Sequence, residues 1–454
     1  MKNEFKNKKI LIVGLGRSGI AALEVLLELG ACVALQDSKK AEDMDGETMA
    51  LIKDNNIQAW LGAVPENMAD FDMLVLSPGV PVNLPFIREA RDAGAEIIGE
   101  LELAYRVGMG HYVGITGTNG KTTTTTLVGE IFKAAGRDTK VVGNIGSPVV
   151  REAAKANEDS WMVTEISSFQ LETVDQFRPE VSAILNLTPD HLDRHGNMEN
   201  YGAAKARIFA RQDKEDFCVL NYDDEEVMKL GEECRAVVVP FSRMTELDFG
   251  AFVKDEEIIV KDVEGETAIC RTDELKIPGS HNLENALAAV AIAWFSGIDK
   301  NTIARVLKEF AGVEHRIENC GSIKGVRFIN DSKGTNTDAA IKAIEAMKEN
   351  IILIAGGYDK QADYAEFIST FPGRVKYMVL LGQTAEKIKE AAIKQGFTDL
   401  EICEDMADCV EKAWAKAQAG DVILLSPACA SWDMYKSYEK RGEDFKECVR
   451  RLQP

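Results

Sequence analysis

Two glycine loops, each set between a short apolar run and a helical pattern, limit what this chain can become more than any other feature. Gly14-Leu-Gly16-Arg-Ser-Gly19 follows residues 8–14, which read as a buried strand, and opens residues 18–30, a helix ending in glycine. Gly114-Ile-Thr-Gly117-Thr-Asn-Gly120-Lys121-Thr122 follows a second apolar run, 111–116, and precedes another helix. Strand, glycine turn and helix in that order build parallel α/β sheets, whose ligands gather where the strands end.

The alternation continues along the chain. Further strands are expected at 32–35, 73–76 and 96–98, then at 161–166, 181–187 and 217–221. Residues 252–277 differ: short charged runs without helical period predict a small β-meander appended to the second unit. An alanine-rich helix follows at 280–293, and strands at 326–330, 351–355, 377–381, 400–403 and 422–425 complete a third unit. The expected architecture is therefore three α/β domains. Residues 1–109 form a Rossmann-like N-terminal domain. Residues 110–312 form a central P-loop ATPase-like domain with its appended β-sheet. Residues 313–454 form a C-terminal Rossmann-like domain. Gly108-Met-Gly110 supplies the first joint, and glycine-containing joints predict closure of the domains over their substrates.

Charge narrows the ligands. With 53 Lys and Arg against 74 Asp and Glu, the net charge is −21, which disfavours nucleic acid and anionic membrane as partners. Phosphates must then be held by glycine turns, helix N-termini, metal ions and single basic residues. The nine cysteines are scattered and form no C-x-x-C pair, which argues against a disulfide scaffold and for a reducing, cytoplasmic setting. The first apolar run is too short for a signal peptide, and no run nears the ~20 apolar residues of a membrane span.

The first loop fits the dinucleotide fingerprint, with Asp37 ending the next strand 18 residues after Gly19. It can hold NAD, a different nucleotide diphosphate, or serve helix–strand packing alone. The second loop departs from the strict P-loop at Ile115, where glycine is usual. Its physical parts remain: Gly117 and Gly120 for a tight anion-binding turn, Lys121 for the β- and γ-phosphates, and Thr122 for Mg²⁺. Two phosphate cradles in succession suit a two-substrate phosphoryl-transfer enzyme better than a dehydrogenase. Glu165 and His191 each follow a strand end, and carboxylate oxygen beside phosphate favours Mg²⁺ over zinc. His191 is one of only five histidines, and His195 reads as its neighbour.

Seven strings together resemble the Mur ligases: GTNGKT (117–122), EISSFQLE (165–172), NLTPDHLDRH (186–195), AAKARI (203–208), GSHNLENALAA (279–289), HR (315–316) and NDSKGTN (330–336). In the outer domains GLGRSG (14–19) with Asp37, LSPGVP (76–81), GGYDK (356–360) and LLSPACASWDMY (424–435) resemble the member that joins D-glutamate to UDP-N-acetylmuramoyl-L-alanine. The resemblance implies an ATP-dependent amide ligase of peptidoglycan precursor synthesis, working through an acyl phosphate, cytoplasmic and monomeric.

It also implies roles. Gly117, Thr118, Asn119, Gly120, Lys121, Thr122, Thr123, Asn282, Asn285, Arg316 and Asp331 would bind ATP. Thr122, Glu165, His191 and a carbamylated Lys205 would hold two Mg²⁺ ions. Lys121, Glu165, His191, Lys205 and Lys333 would serve catalysis. Leu15, Gly16, Arg17, Asp37, Ser38, Ser77, Pro78, Gly79, Asn144 and His191 would take the UDP-sugar. Thr335, Lys360, Ser431, Trp432 and Tyr438 would take D-glutamate. Two positions depart from the family's usual form, Gln361 and Trp432, and both fall in the amino-acid pocket.

Overall fold

Buried β-branched and leucine runs form the strands of three sheets, in the computed structural model that describes residues 4–277, 279–360 and 362–452. The first sheet comprises β1 (Lys9–Val13), β2 (Cys32–Asp37), β3 (Gln58–Leu61), β4 (Met73–Leu76) and β5 (Glu96–Gly99). All its strands are parallel, in the order β3-β2-β1-β4-β5. Strand β1 is flanked by β2 and β4, so the order reverses on either side of it. The glycine loop leaves its C-terminal end at that switch point, where open α/β sheets bind ligands. The helix Arg17–Glu28 follows and buries Ala21, Ala22, Leu23, Val25 and Leu26.

The second sheet has nine strands: β6 (His111–Thr116), β7 (Asp138–Gly143), β8 (Ser160–Glu165), β9 (Val181–Ile184), β10 (Phe217–Asn221), β11 (Val237–Ser242), β12 (Gly250–Lys254), β13 (Glu257–Asp262) and β14 (Gly265–Arg271). Strand β6 lies between β8 and β9, which puts the second glycine loop beside the ends of both neighbours. The meander expected as an appendage is β12–β14. It is antiparallel within itself, but β12 continues the main sheet by pairing with β11 at Phe241↔Ala251 and Ser242↔Phe252.

The third sheet comprises β15 (Glu318–Ile323), β16 (Val326–Asn330), β17 (Asn350–Ala355), β18 (Val375–Leu380), β19 (Leu400–Ile402) and β20 (Asp421–Leu425). Its order is β15-β16-β20-β17-β18-β19, parallel except for the β15–β16 hairpin at one edge. Four strands had no sequence signal strong enough to predict them: β3, β7, β11 and β15. Strands β3 and β15 are half-exposed and lie at sheet edges, so neither reads as an apolar run.

The chain divides into two compact units. One holds 1–274 with 284–308, the other 275–283 with 309–454. The first two sheets therefore share one unit. Leu103, Ala104 and Val107 join Tyr112, Val150 and Phe177 in a single apolar core. The Glu102 carboxylate accepts from the backbone N–H groups of Asp175, Gln176 and Phe177, and buried Arg106 pairs with Glu102 and Glu96. The glycine joint is packed: a Cβ on Gly110 would stand 2.5 Å from Ser160 O.

Candidate functional site

The first cradle is shaped by its glycines in two ways. Gly14 has φ +88°, and a Cβ on Gly19 would lie 2.0 Å from Gly14 O, so these two serve the turn and the helix–strand contact. A Cβ on Gly16 or Gly79 meets nothing within 4 Å, which leaves the loop backbone open on that side. Asp37 orders the loop, accepting from Leu15 N at 2.6 Å and Lys39 N at 2.8 Å. Ser77 donates to Gly14 O at 2.7 Å, tying the SPGVP turn to the same loop. Ser38 is exposed beside it. The Arg17 guanidinium donates to Gly146 O, two residues beyond Asn144.

The second cradle is denser. Gly120 caps the helix Lys121–Ala134 with φ +83°, and a Cβ there would press to 2.2 Å from Asn285 Oδ1. Lys121 curls over its own loop and donates to Gly117 O and Thr118 O at 2.8 and 2.7 Å. Asn119 N donates to Asn186 Oδ1, and Thr118 Oγ1 donates to Thr188 O, so the loop is bound to the segment leaving β9. Thr122 Oγ1 donates to Glu165 Oε2 at 2.8 Å, and Asn144 Nδ2 donates to Glu165 Oε1 at 2.8 Å. The Glu165 carboxylate is buried between them. Thr123 is buried as well, its hydroxyl lacking a hydrogen-bond partner.

Lys205 is wholly buried on the helix Met198–Ala206 and donates to Gly117 O at 2.9 Å, its Nζ lying 4.4 Å over the Tyr201 ring. Burial, and then neighbouring Lys121, holds its ammonium pKa well below the usual lysine value, with Asp190 opposing. Lowering the pKa of an amine raises its neutral, nucleophilic fraction. His191 adopts φ +53°, its N–H donating to Asp190 Oδ1, and its ring meets Phe169 edge-on at 4.8 Å. Lys121, Thr122, Glu165, His191 and Lys205 thus come from three strand ends and one helix of a single unit. The hydroxyl of Thr122 and the carboxylate of Glu165 are oxygen donors of the kind a hard divalent cation such as Mg²⁺ takes.

In the other unit, Asp331 is fully buried. It accepts from Ser426 Oγ at 2.8 Å and lies 3.5 Å from Arg316 Nη1. Burial raises its pKa and Arg316 opposes that shift. Lys333 Nζ sits 5.1 Å over the Tyr438 ring, and Lys360 Nζ 5.8 Å over Trp432, which is 62% exposed. Thr335 is half-buried and Ser431 buried. Asn282 is buried in this unit, whereas Asn285, one turn on, belongs to the first and accepts from Thr124 Oγ1. Gln361 lies outside the described residues.

Three residues escaped the sequence reading. Arg441 is fully buried and donates to Ser332 Oγ, Ser332 O, Ala430 O and Cys429 O, gathering the loops that carry Lys333, Thr335, Ser431 and Trp432. Its helix is mostly polar, and the one signal was register: Arg441 shares a face with Phe445, Cys448 and Val449. Asp190 and Tyr201 stand inside strings that were legible, but only the fold shows that they flank Lys205. His195 is buried, with Nε2 3.0 Å from Ser168 Oγ, a partnered core group rather than a bare neighbour.

Two glycine cradles on successive sheets, with a buried Thr–Glu pair and a buried lysine at the second, define a multidomain α/β protein with two anion-binding turns, and this chain belongs to the Mur ligase family. Three family models match it in order: "Mur ligase MurD-like, N-terminal domain" over residues 8–99, "Mur ligase middle domain" over 115–293, and "Mur ligase, glutamate ligase domain" over 315–429. Within the family the chain is similar to proteins named UDP-N-acetylmuramoylalanine--D-glutamate ligase. That of Alkaliphilus oremlandii is 52% identical, across 98% of this chain and 99% of the relative. That of Clostridioides difficile is 49% identical, across 99% and 100%. The fold is similar to that of the MurF ligase from Thermotoga maritima in complex with ADP, at a TM-score of 0.59 and 15% identity over 99% of this chain and 97% of that one.

Proposed function

We propose that this chain is an ATP-dependent amide ligase that adds D-glutamate to UDP-N-acetylmuramoyl-L-alanine through an acyl phosphate, in peptidoglycan precursor synthesis. One observation carries this reading: identity near 50% to proteins of that name over the whole chain. The physical chemistry agrees. A carboxylate is a poor electrophile, and transfer of the ATP γ-phosphoryl gives it a leaving group. The D-glutamate amine then attacks and phosphate departs. Such catalysis consists mainly of positioning and charge neutralisation.

The residues divide the labour as follows. Gly117–Thr123, Asn282, Asn285, Arg316 and Asp331 hold ATP, with Lys121 aimed at the β- and γ-phosphates. Thr122, Glu165, His191 and Lys205 as its carbamate would hold two Mg²⁺ ions, which when bound neutralise charge on the transferring oxygens. Carbamylation turns a buried cation into a long carboxylate, removing the repulsion an ammonium would impose on a metal. Leu15, Gly16, Arg17, Asp37, Ser38, Ser77, Pro78, Gly79, Asn144 and His191 take the UDP-sugar, so the dinucleotide fingerprint serves a uridine diphosphate. Thr335, Lys360, Ser431, Trp432 and Tyr438 hold D-glutamate, and Lys333 meets the acyl group.

We assign the three functional domains to 1–109, 110–312 and 313–454, supported by the three sheets and the three family matches. The protein acts in the cytoplasm as a monomer, and the C-terminal domain closes on its substrates when ATP binds. Nine free cysteines suit a reducing compartment, and no helix among the described residues is long and apolar enough to cross a membrane. The direct test is phosphate release with ATP, Mg²⁺, UDP-N-acetylmuramoyl-L-alanine and D-glutamate, omitting each in turn. Release that persists without D-glutamate, or with L-glutamate in its place, overturns the assignment. Identical X-ray scattering with and without all ligands counts against closure.

A further inference from the structure

We infer that Arg194 is a positioning residue for the sugar-nucleotide cradle, clamping the SPGVP turn of the first sheet to the strand-end loops of the second. This inference rests on the functional reading above. Arg194 lies in the short helix Leu192–His195, directly after His191. Its Nη2 donates to Val80 O at 3.0 Å and its Nη1 to Gly79 O at 3.4 Å. Nε and Nη2 together grip the Glu172 carboxylate, and the guanidinium carbon stands 4.5 Å over the Phe169 ring.

Each contact leads to a part of the site. Val80 N donates to Ser77 O, and Ser77 Oγ donates to Gly14 O, so the turn held by Arg194 is the one fastened to the first glycine loop. Phe169 follows Glu165 by four residues and packs edge-on against the His191 ring. Glu172 closes the same segment, and its Oε1 lies 3.7 Å from His195 Nδ1. One side chain therefore spans from the wall of the first cradle to the two loops carrying the expected metal ligands.

The chemistry requires arginine. Four contacts in different directions need a planar fork, whereas a lysine ammonium is a compact point charge that cannot hold Glu172 and two carbonyls and still lie flat on an aromatic face. Both Arg194 and Glu172 are mostly buried, with side chains 15% and 14% exposed, so the pair is shielded from the screening that weakens surface pairs. The Arg194 guanidinium touches Gly79 and Val80 on the turn of the first cradle and Glu172 and Phe169 on the facing segment.

The test compares wild type, Arg194→Lys and Glu172→Gln by calorimetric binding of UDP-N-acetylmuramoyl-L-alanine and, separately, of a non-hydrolysable ATP analogue with Mg²⁺. The expected result is at least a tenfold loss of affinity for the sugar nucleotide in both variants. Affinity for the ATP analogue should stay within twofold, KM for the sugar nucleotide should rise in parallel, and the double variant should lose no more than either single change. Sugar-nucleotide binding by Arg194→Lys within twofold of wild type overturns the inference, as does equal loss of both ligands, which marks a general folding role. A wild-type chain that binds the ATP analogue but not the sugar nucleotide overturns instead the functional reading beneath it.

Discussion

Thr122 donates its hydroxyl proton to Glu165 across 2.8 Å, although 43 residues separate the two in sequence. The bond joins the first turn of the helix after one strand to the last residue of the neighbouring strand, and it makes a buried hydroxyl–carboxylate pair beside the second glycine loop. Glu165→Gln keeps the shape and removes the charge. Its kcat should fall by about 10²-fold or more while the sugar nucleotide still binds. Steady-state kinetics with parallel binding measurements check this.

Lys205 should tolerate no simple cation. Lys205→Arg keeps a positive charge where we place a carbamate, and activity should drop by roughly two orders of magnitude with the fold intact. Full activity in that variant would refute the carbamate. A second readout is the enzyme stripped of CO₂ at mildly acidic pH. It should lose activity and regain it on adding bicarbonate.

Gly120→Ala should damage ATP binding first. The position has φ +83°, and the new Cβ would meet Asn285 Oδ1 at 2.2 Å. Strain and clash together predict a loss of about 1–3 kcal/mol in stability. ATP affinity should weaken at least tenfold, while affinity for the UDP-sugar is held. Gly16→Ala, where a Cβ would meet nothing within 4 Å, should show the reverse preference.

Glu100 predicts a particular pH dependence. It is buried, accepts from Val150 N at 2.7 Å and leaves its other oxygen without a hydrogen-bond partner, and burial lifts its pKa from 4.5 to about 7. Between those values the folded state binds more protons than the unfolded state. Its contribution is therefore fully present below pH 4.5 and lost as pH rises through 7. The linked change is at most about 3 kcal/mol. Glu100→Gln should flatten this fall, measured as urea midpoints between pH 5 and 8, and should be the more stable protein at pH 8.

Arg441→Met should cost about 3 kcal/mol, because three backbone carbonyls and a hydroxyl lose a buried donor at once. Since Arg441 gathers the loops bearing Lys333, Ser431 and Trp432, KM for D-glutamate should rise more steeply than KM for ATP. Equal effects on both would show a purely global loss of stability.

Much of this molecule could be read along the chain, because its parts are local. A glycine turn between a strand and a helix is a short-range device, so both glycine turns, their strands β1 and β6, and the places of Glu165 and His191 after β8 and β9 were legible from periodicity and spacing. The Mur ligase resemblance added the outer-domain roles. Strands β3 and β15 were not legible, because an edge strand buries one face or none and carries no apolar run. The meander was expected as an appendage, yet two residue pairs suffice to join β12 to the main sheet, and no local pattern encodes a sheet-edge partner.

By itself, then, the sequence determined which backbone turns could accept phosphates, which residue types could meet a metal ion, and that the chain would fold as parallel α/β layers. The tertiary structure alone decided which of those residues touch. It turned Asn144 onto Glu165, folded Lys121 over Gly117, sealed Lys205 away from water, and made Arg194 and Arg441 the ties between loops. The reason is physical. Conformational preference and hydrophobic period act over a few residues, whereas burial, charge pairing and the pKa of a buried amine depend on neighbours brought together only by the packing of distant segments.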